Sequence, residues 1–420
     1  MKPVQVTRAA LVLVMACGGS GQQPDASADG VDSRVHLTVT VAGEPASKLD
    51  VYYQNADSSL VAHLVTDVHG EVVSELAAGG FVTVIEPRAP GAADRLDTFT
   101  DVQPSDQLRL DLLPPPPHGT ISFEISVPPA ATASSYHLWT SCGDQAVIGT
   151  TNTAILTGCN GIADLLVTAL DMNDMVFASL YTPSVAVTAN HPVMLSDTYG
   201  PNLTESISYT GVPNSAANIQ VAQSLVGPHG PLYLAVDAVP ASSSTSLTLT
   251  EPAAAGVLVV TRTDLYPITS AASQASIMEW SPRSASYAID LAPVLLGEYT
   301  TLPRLEPATH AIVWTESSGA TPNVVWGQYH TVRGGQQWLW SIAAARATAP
   351  ALRFPTLPTD LFDYNAGPSD QVSVYVLTNA SIPGGFAAIR TAPFRLLDPT
   401  ALAPTGRMVS TSLFTASTRR

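Results

Sequence analysis

Residues able to do chemistry are sparse in this chain and rarely at workable spacing. The nine histidines stand singly along 420 residues, no Gly-x-Ser-x-Gly turn presents a serine, and no His-Glu-x-x-His sets two zinc ligands on one helix face. A catalytic triad would have to be assembled from residues far apart in sequence, so the expectation is a protein that is not an enzyme, with an extracytoplasmic hydrolase lacking a known motif as the alternative. Asp171-Met-Asn-Asp174 and the stretch from Asp360 to Asp370 gather hard oxygen ligands. Calcium takes six to eight such oxygens, but neither stretch has EF-hand spacing. Asx turns at strand ends explain the same residues, and neither a metal site nor a cofactor is expected. The most suggestive run is NVVWGQYHTVRGGQQWLWSI, Asn323 to Ile342. Gly334-Gly335 suits a two-residue hairpin turn, which sets Trp340 opposite Tyr329 on the face that also carries Trp338. Tyr329, Trp338 and Trp340 are then either a stacking platform for sugar rings, with Gln328, Gln336 and Gln337 beside it, or the core of a sandwich. Large aromatic rings favour the core.

The cysteines divide into one and two. Cys142 and Cys159 form an even pair whose default in an oxidising compartment is a disulfide. It would close a loop of about 17 residues and contribute about 3 kcal/mol. A lone pair of cysteines does not supply the four ligands of a zinc site. Cys17 is different. Lys2 and Arg8 precede an apolar run, Ala9 to Ala16, which is far short of the roughly 20 residues that span a bilayer. Val14-Met15-Ala16-Cys17 resembles the lipobox of bacterial lipoproteins, with Met15 departing from the small residue usual at its place. The resemblance implies cleavage before Cys17 and its lipidation, so one expected partner is the membrane, reached through the N-terminal lipid anchor. Two acyl chains anchor stably where one does not. An ordinary secretory peptide is the alternative. Gly18 after the cysteine, by resemblance to Gram-negative sorting, favours the outer membrane.

Without residues 1–16 the chain keeps 16 basic against 34 acidic residues, a net charge of −18. Nucleic acid needs a basic footprint and is excluded as a partner; a glycan or an envelope protein remains. Charged residues are 12 % and hydrophobic ones 45 %, so Ser, Thr, Asn, Gln, Pro and Gly must build most of the surface. Lys48 is the only lysine left after residue 16, a skew towards arginine that reads as coding bias.

The elements that position these residues read as strands. VHLTVTV, KLDVYYQ, FVTVIEP, TISFEISVP and VSVYVLT alternate apolar and polar residues with β-branched and aromatic enrichment, and 34 prolines and 28 glycines leave few windows for a helix. The expected fold class is all-β, built of tandem β-sandwiches of Ig-like or transthyretin-like type. The expected organisation is a signal peptide over 1–16, a flexible tether of about 20 Å over 17–31, a sandwich over 32–113, a polyproline spacer over 114–117, a second sandwich with the disulfide over 118–210, a β-rich region over 211–302 and a C-terminal β-rich domain over 303–420.

Arg34 to Leu113 resembles the carboxypeptidase regulatory-like, or transthyretin-like, domains of bacterial surface proteins. The carrying residues are VHLTVTVAGEPASKLDVYY, the turn Thr66-Asp67-Val68-His69-Gly70-Glu71, Leu76 to Val84, and the closing QLRLDL. In that turn Asp67 accepts backbone N–H bonds and Gly70 takes positive φ. The resemblance implies a seven-stranded spacer or binding module without catalytic residues. Its first strand carries no lysine, and Lys48 follows the turn, so no Lys-Asn cross-link is expected. The leading reading is a non-catalytic, lipid-anchored cell-envelope protein serving as stalk, scaffold or binding surface.

Overall fold

The computed structural model describes residues 33–88, 91–112, 120–147, 149–157, 161–267, 274–394 and 406–414. Cys17, Cys159, the expected tether and the four prolines lie outside them. No α-helix occurs among the described residues; two short 3-10 turns, Thr359–Tyr364 and Phe386–Ala388, accompany the strands. The chain is all-β, as its alternation requires.

The first unit contains β1 (Val35–Val41), β2 (Glu44–Pro45), β3 (Asp50–Gln54), β4 (Leu60–Val65), β5 (Glu71–Ser74), β6 (Gly80–Glu86), β7 (Asp94–Val102) and β8 (Gln107–Asp111). One sheet runs β2-β1-β5 with β8 parallel to β1; β4-β3-β6-β7 faces it. Between them lie Val35, Leu37, Val39, Val51, Tyr53, Val82, Val84, Phe99, Leu108 and Leu110. The turn before β5 forms as its residues dictate: Asp67 Oδ1 accepts the His69 and Glu71 N–H groups at 2.8 and 2.9 Å. Gly70 sits at φ 73° with no room for a side chain, since a Cβ would lie 2.3 Å from the Val39 carbonyl oxygen.

The second unit contains β9 (Thr120–Ser126), β10 (Ser135–Thr140), β11 (Gly143–Val147), β12 (Thr151–Thr157), β13 (Gly161–Leu170), β14 (Val176–Val187), β15 (Val193–Met194) and β16 (Gly200–Pro201). Sheets β12-β9-β15 and β11-β10-β13-β14-β16 enclose a core including Phe123, Ile125, Leu138, Leu165 and Val167. The third contains β17 (Leu203–Thr210), β18 (Ala216–Gly227), β19 (Gly230–Pro240), β20 (Ser244–Glu251), β21 (Leu258–Pro267), β22 (Gln274–Pro282) and β23 (Ser286–Asp290). β17 pairs with β20 and β23. The fourth contains β24 (Arg304–Glu306), β25 (Ala311–Val313), β26 (Val324–Arg333), β27 (Gln336–Ala345), β28 (Ala351–Arg353), β29 (Gln371–Ser381) and β30 (Gly406–Phe414).

The units are also joined to one another through their sheets. A single twelve-stranded sheet, β19-β18-β21-β22-β30-β29-β26-β27-β7-β6-β3-β4, runs from the third unit through the fourth into the first. The seam between first and fourth is the parallel pair β7–β27, with Trp338 opposite Asp94 and Ile342 opposite Thr98. The reason lies in the residues of the first unit. β3 reads Val51-Tyr52-Tyr53-Gln54, buried throughout, because its sheet is covered on both faces. Val51 and Tyr53 point into the first core, whereas Tyr52, Ile85 and Leu96 point into a second core with Trp314, Trp338, Trp340 and Phe354. Each such side chain contributes about 1.5–3 kcal/mol by leaving water.

Two outcomes test the fused arrangement. Leu96→Ala, at a residue without exposed surface, should cost about 2–5 kcal/mol and lower hydrogen-exchange protection in β27 as well as in β7. A fragment of residues 33–112 should self-associate through the uncovered Tyr52, Ile85 and Leu96. A monomeric fragment as stable as the intact chain would show the units to be independent.

Candidate functional site

The hairpin expected between β26 and β27 is present. Gly334 and Gly335 have φ 55° and 88°, Arg333 pairs with Gln336, and Tyr329 lies opposite Trp340. Tyr329, Trp338 and Trp340 are only 2, 1 and 0 % exposed. Phe354 crosses Tyr329 and Trp340 edge to face, at 4.7 and 5.3 Å, and Trp340 Nε1 donates to Thr98 Oγ1 at 2.8 Å. No sugar ring can stack there, so of the two readings of these rings the core is the one realised. The acidic loops are likewise used locally. Asp171 Oδ1 accepts the N–H groups of Asn173 and Met175 at 2.8 and 3.0 Å, and those bonds hold its carboxyl below the usual range. Asp370 is held low by Arg333, whose Nε lies 2.8 Å from Oδ1. Among the described residues no group of three or more His, Cys, Asp or Glu could hold a metal ion. Cys142 packs against the second core and is not a free thiol; Cys159 lies outside the described residues.

Open space and polar groups meet where units join. A cleft of about 380 Å³ lies between the third and fourth units, lined by Pro213, Ser215, Tyr266, Leu295, Glu298 and Ser317 among others. Ser215 Oγ donates to Glu298 Oε1, and the Glu298 N–H donates to Ser317 Oγ at 3.0 Å. Tyr266 is 36 % exposed at its rim, with its hydroxyl donating to Gln220 Oε1 at 2.7 Å. The cleft falls at the small end of ligand-sized pockets and combines an aromatic ring with an acid and hydroxyls.

At the junction of the second and third units, the hairpin joining β18 to β19 is seated on Asp164, which has no exposed surface. Asp164 Oδ2 accepts the backbone N–H of His229 at 2.7 Å, and Oδ1 accepts that of Ser184 at 2.9 Å. Gly227 is required beside it, because a Cβ there would stand 2.5 Å from Asp164 Oδ2. Burial first, and then the charge of Asp164, push the Tyr181 hydroxyl up to about 12. Ser184 Oγ and His229 Nε2 are 3.0 Å apart, a serine and a base brought together only by folding. A catalytic triad needs its acid on the imidazole, to orient it and stabilise the imidazolium. Asp164 is engaged with the two main-chain donors instead, and Ser184 and His229 are exposed. The pair therefore has the contact of a nucleophile and base, but the nearby acid Asp164 is not on the imidazole.

The same junction holds a second polar cluster. Glu205 and Glu251 are 1 and 0 % exposed, and Arg283 reaches both: Nε is 2.6 Å from Glu205 Oε1 and Nη2 is 3.4 Å from Glu251 Oε2. Burial, and then Glu205, push the Glu251 carboxyl up to about 7 against the pull of Arg283. These residues escaped the sequence reading, yet a signal was present. In SLTLTE the inward positions run Leu247, Leu249, Glu251, and in ESISY they run Glu205, Ile207, Tyr209. An acid in register with buried apolar residues is out of place on a simple two-faced strand. Asp164 likewise interrupts the apolar run GIADLLVTAL.

No family model and no curated protein matches this chain. Among solved structures it is similar in part to the TIE protein of Bacillus anthracis, at 9 % identity over 61 % of this chain and 49 % of that chain, with a TM-score of 0.16. It thus spans about half the length of that protein. A putative adhesin from Bacteroides ovatus is 7 % identical over 42 % of this chain and 90 % of that one, with a TM-score of 0.19. A Streptococcal ancillary pilin is 9 % identical over 61 % and 98 %, with a TM-score of 0.16. Likenesses this distant carry no argument about what this chain binds or does.

The Ser184–His229 contact gives a direct test of catalysis. The intact protein should stay unlabelled by a fluorophosphonate probe and should not turn over simple esters. Labelling that disappears in Ser184→Ala would establish the pair as a catalytic dyad.

Proposed function

We propose that the chain is a non-catalytic, lipid-anchored protein of the cell envelope, with its fused β-sandwiches acting as a rigid scaffold and binding surface. The observation that carries this reading is the twelve-stranded sheet shared by three units, which makes a body suited to display surfaces rather than to close around a substrate. The anchor is Cys17, lipidated at the lipobox-like Val14-Met15-Ala16-Cys17, and residues 17–31 form the tether. Gly18 directs the protein to the outer membrane. The oxidising address accords with a Cys142–Cys159 disulfide. The first unit serves as a spacer or docking module in the manner of the carboxypeptidase regulatory-like domains that its residues resemble.

A palmitate analogue fed to cells making the full chain should label it, and Cys17→Ala should abolish both the label and membrane retention. Label that persists in Cys17→Ala would overturn the anchor.

A second reading, attachment to a glycan, is favoured by one observation: the cleft beside Tyr266 offers an exposed ring together with Glu298 and serine hydroxyls. On this reading glycan attachment belongs there and not at the buried Trp338 and Trp340. Tyr266→Ala should then lower retention on a cell-wall polysaccharide column about three- to tenfold, the loss of one aromatic contact, with an unchanged Tm. Unchanged retention would remove this reading.

A further inference from the structure

We propose that Glu251, acting with Glu205 and Arg283, makes the seating of the third unit on the second depend on pH, firm in acidic surroundings and progressively loosened as pH rises to neutrality. The cluster stands at the root of the contact. Glu205 and Glu251 occupy inward positions at one end of β17 and β20, and Arg283 enters from the segment between β22 and β23. Arg283 Nη1 also donates to the carbonyl of Pro252 at 2.6 Å. The next residue, Ala253, donates its N–H to Ser179 Oγ of β14 at 2.7 Å. Beyond it Ala254 and Val257 enter an apolar cluster shared by Leu166 of the second unit and Leu225, Leu232 and Val259 of the third. Arg283 therefore clamps the segment through which one unit rests on the other.

Charge bookkeeping gives the switch its direction. One guanidinium balances one carboxylate, and Glu205 holds the shorter contact. With Glu251 protonated the cluster is neutral. With Glu251 ionised it carries a buried net negative charge, and Glu205 Oε2 and Glu251 Oε1 have no hydrogen-bond partner among the described residues. The titratable or charged groups facing Glu251 are Glu205 from β17, Arg283 from the β22–β23 segment, Tyr233 from β19 and Tyr287 from β23. Both tyrosine hydroxyls are raised above 10.0 by burial first and by the nearby acids, so they stay neutral and cannot compensate. The folded carboxyl binds its proton more tightly than the free side chain, at about 7 against 4.5. Its contribution is therefore complete below about 4.5, is lost by up to about tenfold in the seating equilibrium for each pH unit between about 4.5 and about 7, and is gone above about 7, where the carboxyl is ionised in either state.

Hydrogen exchange on the full chain tests this, corrected for intrinsic rates, from about pH 5 to about pH 9. Protection at residues 252–257 should fall by up to about tenfold per unit between about pH 5 and about pH 7 and level off above that, while β1 and β8 of the first unit keep theirs. Glu251→Gln, which keeps the shape and removes the titration, should hold protection at its acidic level throughout. A flat wild-type profile, or a slope that survives in Glu251→Gln, would overturn the proposal. Should that variant fail to fold, the carboxyl carbon shift of Glu251 in the unmodified chain decides: titration near neutrality supports the switch, and titration below about 5 overturns it.

Discussion

The parallel contact of β7 with β27 is the constraint on which the arrangement of the molecule depends. It joins residues about 240 positions apart, as the Trp340–Thr98 hydrogen bond records with a separation of 242. A contact of that range carries a large loop-closure cost and forms only when much apolar surface rewards it. The reward is a sheet covered on both faces, with Phe99 and Val84 on one side and Leu96, Ile85 and Tyr52 on the other. Polar ties fix the register. Trp340 donates to Thr98, Thr100 Oγ1 donates to the Ala343 carbonyl at 2.7 Å, and the Tyr364 hydroxyl donates to Asp94 Oδ2 at 2.9 Å. Asp97 lies opposite Ser341 in the pair, ion-paired to Arg95 at 2.6 Å, and burial pushes its carboxyl up to about 6 in spite of that arginine.

How much of this was legible in the sequence depends on the range of the interaction concerned. Local features were plain: the Asp67–Gly70 turn, the Gly334-Gly335 hairpin with Tyr329 facing Trp340, and the Asx turn at Asp171 all follow from a few neighbouring residues. Partnership between strands was not, because alternation states which face of a strand is buried and not which strand covers it. The joining of three units through one sheet left little local trace for this reason. A hint did exist in Val51-Tyr52-Tyr53, where consecutive apolar residues signal a strand buried on both faces. The cleft at Tyr266 draws on residues from Pro213 to Ser317 and had no local signature at all.

Three of the junction contacts are built round a buried acid: Asp97 between the first and fourth units, Asp164 and Glu251 between the second and third. Such groups add little net stability over a well-packed apolar residue, since desolvation offsets most of the attraction. What they supply is a penalty for misplacement. Asp164 is satisfied only when the His229 and Ser184 main-chain donors arrive together, and a hairpin seated one residue out of register would strand the carboxylate without them. Apolar contacts alone, such as those of Leu166 with Leu225 and Leu232, tolerate sliding. Fused sheets of uniform Val and Leu content have many near-equivalent registers, so the acids select among them.

The same logic gives the arginine bias a physical meaning that composition alone did not. Arg390 pairs with Asp106, binding the fourth unit to the first, and Arg407 Nε lies 2.6 Å from Glu279 Oε1, binding β30 to β22. Arg283 holds two glutamates and a carbonyl, and Arg95 reaches both Asp97 and the carbonyl of Leu112. A planar fork with five donors can serve a carboxylate and a main-chain oxygen at once, whereas an ammonium is a strongly hydrated point charge. Several of the basic residues, Arg95, Arg283, Arg390 and Arg407 among them, lie in the seams, and arginine suits a seam better than lysine. Lys48, by contrast, is exposed at a turn of the first unit, where fork geometry has nothing to act on.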